Sequence, residues 1–144
     1  MSHAITKLWM HLVFSTKDRQ SLIKSDFELK LYSHIKEKLN TQFKCYVKAI
    51  NGTSDHIHIL FLLNPDHLIQ DIVQNIKGES SHWVNQNKFM KDKFAWQTGY
   101  SVFSIGQSNI EAVEKYIVNQ KEHHRKMTFG EEFSVFLKKY GISP

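Results

Sequence analysis

Two histidines one residue apart, His56-Ile57-His58, sit in an apolar stretch that reads as a buried β-strand running to Leu63. Strand side chains alternate faces, so both imidazoles point the same way, with Cα atoms roughly 6–7 Å apart. Paired imidazoles on a rigid element can grip one metal ion. Far along the chain, Tyr116 and Gln120 are four residues apart on an expected helix and so share one side of it. Together the four groups suit phosphodiester chemistry. A phenol is a weak nucleophile at neutral pH, with an ordinary pKa of about 10. Its attack on phosphorus requires the phosphate charge to be neutralised and the oxygens held in line. A divalent ion held by His56, His58 and the Gln120 carbonyl would keep open positions for phosphate oxygens. Gln120, one turn from Tyr116, would also aim the phenol, and the product would be a covalent phosphotyrosine with a 3′-hydroxyl released.

Taken singly, each residue has an ordinary structural reading: a packed strand histidine, a tyrosine at the core edge, a solvated glutamine. The signal is their chemical complementarity. Leu60 occupies the alternate position where a histidine-triad hydrolase needs its third His, and Asp55 points to the opposite strand face. His123, His124 and Arg125 follow Gln120 and read as favourable positive charge at a helix end rather than as a second metal site.

These residues need a scaffold, and the rest of the chain supplies one. Leu8 to Ser15 is apolar and suits a central strand. Ser25-Asp26-Phe27-Glu28 has the form of a capping box, and Phe27, Leu31, Ile35 and Leu39 then recur every four residues, giving an amphipathic helix to about Asn40. Phe43 to Ile50 reads as a strand, and Asn51-Gly52 is a hairpin-turn signal leading into the His56–His58 strand. Pro65 suits the first turn of a second helix carrying Leu68, Ile69, Ile72, Val73 and Ile76, with a bend or pause at Gly78 and continuation through Trp83. Residues 85–97 form a basic, aromatic loop, and Gly99 to Ile105 a fourth strand. Capping boxes at Ser108–Glu111 and Thr128–Glu131 open a tyrosine helix over about 108–124 and a terminal helix over about 129–140.

The order β-α-β-β-α-β followed by C-terminal helices is an α+β, ferredoxin-like (RRM-like) layout. It is a four-stranded antiparallel sheet with two helices on one face, and the other face is left open for a ligand or partner. The length, 144 residues, suits a single domain spanning 1–144, and 41% hydrophobic residues with only 6 Gly and 2 Pro argue against disorder. A formal charge of +5 points to a polyanion partner. One cysteine, Cys45, excludes an intramolecular disulfide and Cys-based zinc clusters and suits a reducing, cytoplasmic compartment. No stretch approaches the ~20 apolar residues that span a bilayer, and no membrane association is expected. Lys17, Arg19, Lys77, Lys88, Lys91 and Lys93 are candidate phosphate contacts, and Trp96 and Trp83 candidate base-stacking groups.

With these residues in place, the chain resembles the single-tyrosine HUH transposases of bacterial insertion sequences, including their repeat-associated relatives. The resemblance spans nearly the whole chain: HLVFSTKDRQSLI at 11–23, DHIHILFLL at 55–63, IKGESSHWVNQ at 76–86, FAWQTGYSVFSIG at 94–106 and YIVNQKEHHRKMTFGEEF at 116–133. It implies that His56 and His58 bind metal, that Tyr116 is the nucleophile and that Gln120 is the helix-borne ligand. It implies Mg²⁺ or Mn²⁺ as the ion, a homodimer, and cleavage and rejoining of single-stranded DNA beside hairpins through a 5′-phosphotyrosine. Two other readings stay open: a nucleic-acid-binding module of the same fold that does not transpose, and a metal phosphoesterase that uses water.

Overall fold

The structure, a computed structural model, describes residues 4–139. The expected domain ends and the last residue of the expected terminal helix lie outside the described residues. Four strands, β1 (Trp9–Ser15), β2 (Tyr46–Gly52), β3 (His56–Leu62) and β4 (Ser101–Ile105), form one antiparallel sheet in the order β2-β3-β1-β4. Helix α1 (Glu28–Phe43) joins β1 to β2, and α2 (Ile69–Gln86) joins β3 to β4. The ferredoxin-like order expected from the sequence is the one observed.

The central strands are apolar on both faces, so both faces must be covered. Leu12, Phe14, Ile57, Ile59 and Phe61 pack with Leu31, Ile35 and Leu39 of α1 and Ile72, Val73 and Ile76 of α2. The opposite face is not open. Trp9, Leu60, Phe103 and Ile105 pack there against Ile110 and Ile117 of α3 (Ile110–Val118) and Phe136 of α5 (Phe129–Lys139), with the single turn α4 (Gln120–His123) between them. Both helices carry apolar faces whose burial against this sheet removes them from water.

Local signals were used unevenly. Only the third capping box closes: the Glu131 N–H donates to Thr128 Oγ1 at 3.2 Å, and the Thr128 N–H reaches Glu131 Oε1 at 3.4 Å. At α1 no side chain caps, because Glu28 accepts from the Tyr32 hydroxyl (2.7 Å) and Lys121 (2.9 Å) instead. Helix α2 runs through Gly78 without a break. Asn51 and Gly52 belong to β2, and the hairpin turn falls on residues 53–55, closed by the Thr53 N–H to the His56 carbonyl at 3.0 Å. A side chain at position 52 would put its Cβ 2.1 Å from the His56 carbonyl oxygen. Gly52 therefore lets β2 lie tight against the first histidine.

Candidate metal and nucleophile site

His56 and His58 lie on β3, opposite Ser15 and Val13 of β1, and face α3–α5. Both are fully buried. The Nε2 atom of His58 is 3.0 Å from Glu132 Oε1, and that of His56 is 3.4 Å from the same oxygen. The ligand atoms of His56, His58 and Glu132 lie within 4.8 Å of one another. Gln120, also buried, brings its Oε1 to 3.2 Å from His56 Nε2 and donates through its own Nε2 to Glu132 Oε2 at 3.2 Å. The Tyr116 hydroxyl donates to that same carboxylate oxygen, and its ring stands 5.7 Å from the His58 ring. The four residues expected from the sequence are thus brought together within one chain, and Glu132 joins them.

The tyrosine helix expected over 108–124 is two helices, because the backbone turns at Asn119 (φ −94°, ψ 19°). Tyr116 ends up on α3 and Gln120 opens α4, yet both still face the histidines. Glu132 was missed in the sequence. Its signal was a carboxylate on the apolar stripe of α5, flanked by Phe129 and Phe136 one turn away on either side.

The donor set fits a divalent cation. Two imidazoles, a carboxylate and an amide oxygen form a mixed nitrogen and oxygen cluster of the kind that takes first-row divalent ions more readily than Mg²⁺. The other ring nitrogen of His56 is also fixed, as Nδ1 contacts Asp55 Oδ1 at 2.7 Å and the Thr53 hydroxyl at 3.0 Å. A carboxylate behind an imidazole orients the ring and raises its basicity.

Burial and charge pull these groups in different directions. Burial lowers the His56 pKa, but hydrogen bonds to Asp55 and Glu132 outweigh it and leave the pKa raised. For His58 burial wins and the pKa is lowered. Burial raises the Glu132 carboxyl, but the two histidines bring it below its ordinary value. Asp55 is lowered as well, its burial opposed by the bond to His56. His124 packs its ring 4.5 Å from that of His56, places Nε2 3.2 Å from Glu132 Oε2, and is pushed down to about 4, chiefly by burial. It is therefore uncharged at neutral pH, and the helix-end charge expected of it is absent. Arg125 instead pairs with Glu122 at 3.1 Å.

An acid-labile fold follows. His124 and His11 (held to about 3, mainly by burial) stay neutral in the fold but protonate near 6.5 once unfolded. The unfolded chain binds more protons between those values, so stability falls as pH drops through that window. Glu132 and Asp55, both lowered, add to the loss below the carboxylate range. Among these site groups, His56 acts in the opposite sense: its contribution is full below 6.5 and is lost as pH rises through its raised pKa. Urea midpoints of the metal-free protein are expected to drop steadily from about pH 7 to about pH 4. A flat or rising midpoint would contradict this electrostatic picture.

The candidate DNA contacts are scattered. Lys17 and Arg19 are exposed on a short 3-10 turn, where the Arg19 guanidinium lies 5.2 Å above the Phe129 ring at the margin of α5. Lys88, Lys91 and Lys93 are exposed and line a groove of about 760 Å³ with Phe89 and Met90. Lys77 donates to the carbonyls of Gln97 (2.7 Å) and Gly99 (2.6 Å), which ties down the loop before β4. Trp96 donates to Ser80 Oγ at 2.9 Å and packs edge-on against Phe14 and Phe94. Trp83 stacks on His34 at 4.2 Å. No helix among the described residues is long and apolar enough to cross a membrane.

A ferredoxin-like sheet that presents a His-x-His pair to a helix-borne tyrosine defines the class of HUH-motif enzymes. The chain belongs to the IS200-like transposase family, whose profile matches residues 4–120. The fold is shared with a protein of Deinococcus radiodurans R1 assigned as a transposase, at 24% identity and a TM-score of 0.66, covering 83% of this chain and 95% of that one. It is shared also with a REP-associated tyrosine transposase bound to a REP hairpin, at 18% identity and a TM-score of 0.62, covering 86% and 74%. Among curated proteins, none matches the chain significantly. The family match ends at Gln120, before Glu132.

Proposed function

We propose that the protein cuts and rejoins single-stranded DNA beside hairpins through a covalent 5′-phosphotyrosine at Tyr116, with Mn²⁺ or Mg²⁺ bound by His56, His58, Gln120 and Glu132. One observation carries this reading: the Tyr116 hydroxyl and both histidine Nε2 atoms converge on a single buried carboxylate, Glu132. When bound, a divalent ion would neutralise phosphate charge and polarise the scissile bond. The chain's own groups do the rest. Tyr116 Oη forms a bond to phosphorus as the P–O3′ bond breaks, and the released 3′-oxygen takes a proton from water. The phenolic proton passes to Glu132 Oε2, which already accepts it in a hydrogen bond. The transfer comes late, since an oxygen bonding to phosphorus loses its basicity as the bond forms. Rejoining reverses each movement.

The hairpin partner is supported by the hairpin-bound relative of the same fold and by the net positive charge. A homodimer accords with the resemblance, while the proposed catalytic groups stand together within one chain. The exposed lysines of the 88–93 groove and the Lys17–Arg19 turn are proposed to hold the DNA backbone.

The reading is tested with a labelled single-stranded hairpin oligonucleotide, the full chain and Mn²⁺, resolved on a denaturing gel. A protein-linked, slowly migrating product is expected. Cut DNA with no linked protein would favour a water-using phosphoesterase, and retarded but uncut DNA on a native gel a binding module.

A further inference from the structure

His11, on β1, interrupts an apolar strand and is 1% exposed. Its ring is enclosed by Phe136 at 5.4 Å and by Phe103 and Tyr116 at 6.5 Å. Its Nε2 lies 2.8 Å from Nδ1 of His58. We propose that His11 is a positioning residue that sets the tautomer of His58, and that the hydrogen bond between them reverses direction when a cation takes His58 Nε2. The proposal rests on the reading of His56 and His58 as ligands.

A neutral imidazole has one N–H donor and one acceptor nitrogen. Two such rings in contact must therefore pair donor with acceptor, which locks their tautomers together. On its far side, His58 Nε2 is 3.0 Å from Glu132 Oε1. An ionised carboxylate only accepts, so Nε2 carries the hydrogen, Nδ1 accepts, and His11 Nε2 donates. A cation at His58 Nε2 needs the lone pair there. The Nε2 proton then leaves to solvent, the His11 Nε2 proton crosses to His58 Nδ1, and His11 Nδ1 takes one up. The proton count on the pair is unchanged and the His11–His58 hydrogen bond is kept, with donor and acceptor exchanged. His56 differs, because Asp55 behind it can only accept and so keeps a hydrogen on Nδ1 in both states. Of the side chains, only an amphoteric one could serve both states at position 11.

The test uses the full-length protein with ¹⁵N-labelled histidine and long-range ¹H–¹⁵N correlation, without metal and with Zn²⁺, which is diamagnetic. His58 and His11 are each expected to change from the Nε2–H to the Nδ1–H tautomer on Zn²⁺ binding. A His11 tautomer that stays the same in both states overturns the proposal. Calorimetry adds a second readout. His11→Leu is expected to weaken Zn²⁺ binding about 10–100-fold, and His11→Gln, whose amide can turn to donate or accept, to regain most of it. Packing alone would not give that rescue, so equal losses in both variants overturn the proposal too. His56→Ala separates the two readings. If it abolishes binding while His11→Leu does not, only the role of His11 fails; if it leaves binding intact, or the wild type binds no cation, the ligand reading fails and takes this one with it. Should His11→Leu not fold, the wild-type tautomers still decide.

Discussion

Tyr116→Phe is expected to leave no covalent DNA adduct, with strand cleavage falling on the order of 10⁴-fold or more, as when a sole nucleophile is removed. The substitution deletes one oxygen from a half-buried ring and leaves its contacts with His11, His58 and Phe136 in place. The stability cost is the bond to Glu132, about 1.5–3 kcal/mol for a hydrogen bond to a charged group. A thermal melt will show whether the variant is folded, and only then does the gel speak to chemistry. Cleavage that persists in a folded Tyr116→Phe protein would mean that water, not the phenol, attacks.

The second large effect belongs to Glu132. Glu132→Gln keeps the shape and can still accept from Tyr116, but it removes the negative charge that faces His56 and His58. Mn²⁺ affinity is expected to fall by at least about 10–100-fold, the loss that removing even an outer-shell partner of a ligand causes. Adduct formation at saturating metal should fall by about 10²–10⁴-fold, the range for loss of a positioned proton acceptor. Calorimetry and single-turnover gels measure the two separately. Faster cutting by Glu132→Gln would show the opposite role, a carboxylate that blocks the site. Alanine is less informative at this position, since losing one partner of a buried ion pair costs about 3–5 kcal/mol and could unfold the protein.

Much of the site could be read from residue types because strand and helix periodicities are local. The alternation of β3 put His56 and His58 on one face, and the four-residue spacing put Tyr116 beside Gln120 even though the helix breaks at Asn119. Glu132 and His11 escaped because their meaning is tertiary. One is a carboxylate on the apolar side of a later helix and the other an imidazole in a hydrophobic strand. Each joins the site only when the sheet and α5 bring it within 3 Å of His58. The covered second sheet face was hidden for the same reason. The apolar stripes of α3 and α5 were visible, but nothing in their order said which side of the sheet they would choose. His124 is neutral because burial beside His56 outweighs its place near a helix end.

Glu132 is also the last of the site's groups in chain order, on α5 rather than on the sheet. During synthesis the imidazole pair and the phenol leave the ribosome before the carboxylate that draws them together. On the proposed reading, with Tyr116 as nucleophile and Glu132 completing its surroundings, a nascent polypeptide stays chemically idle towards nearby strands until α5 has emerged and docked.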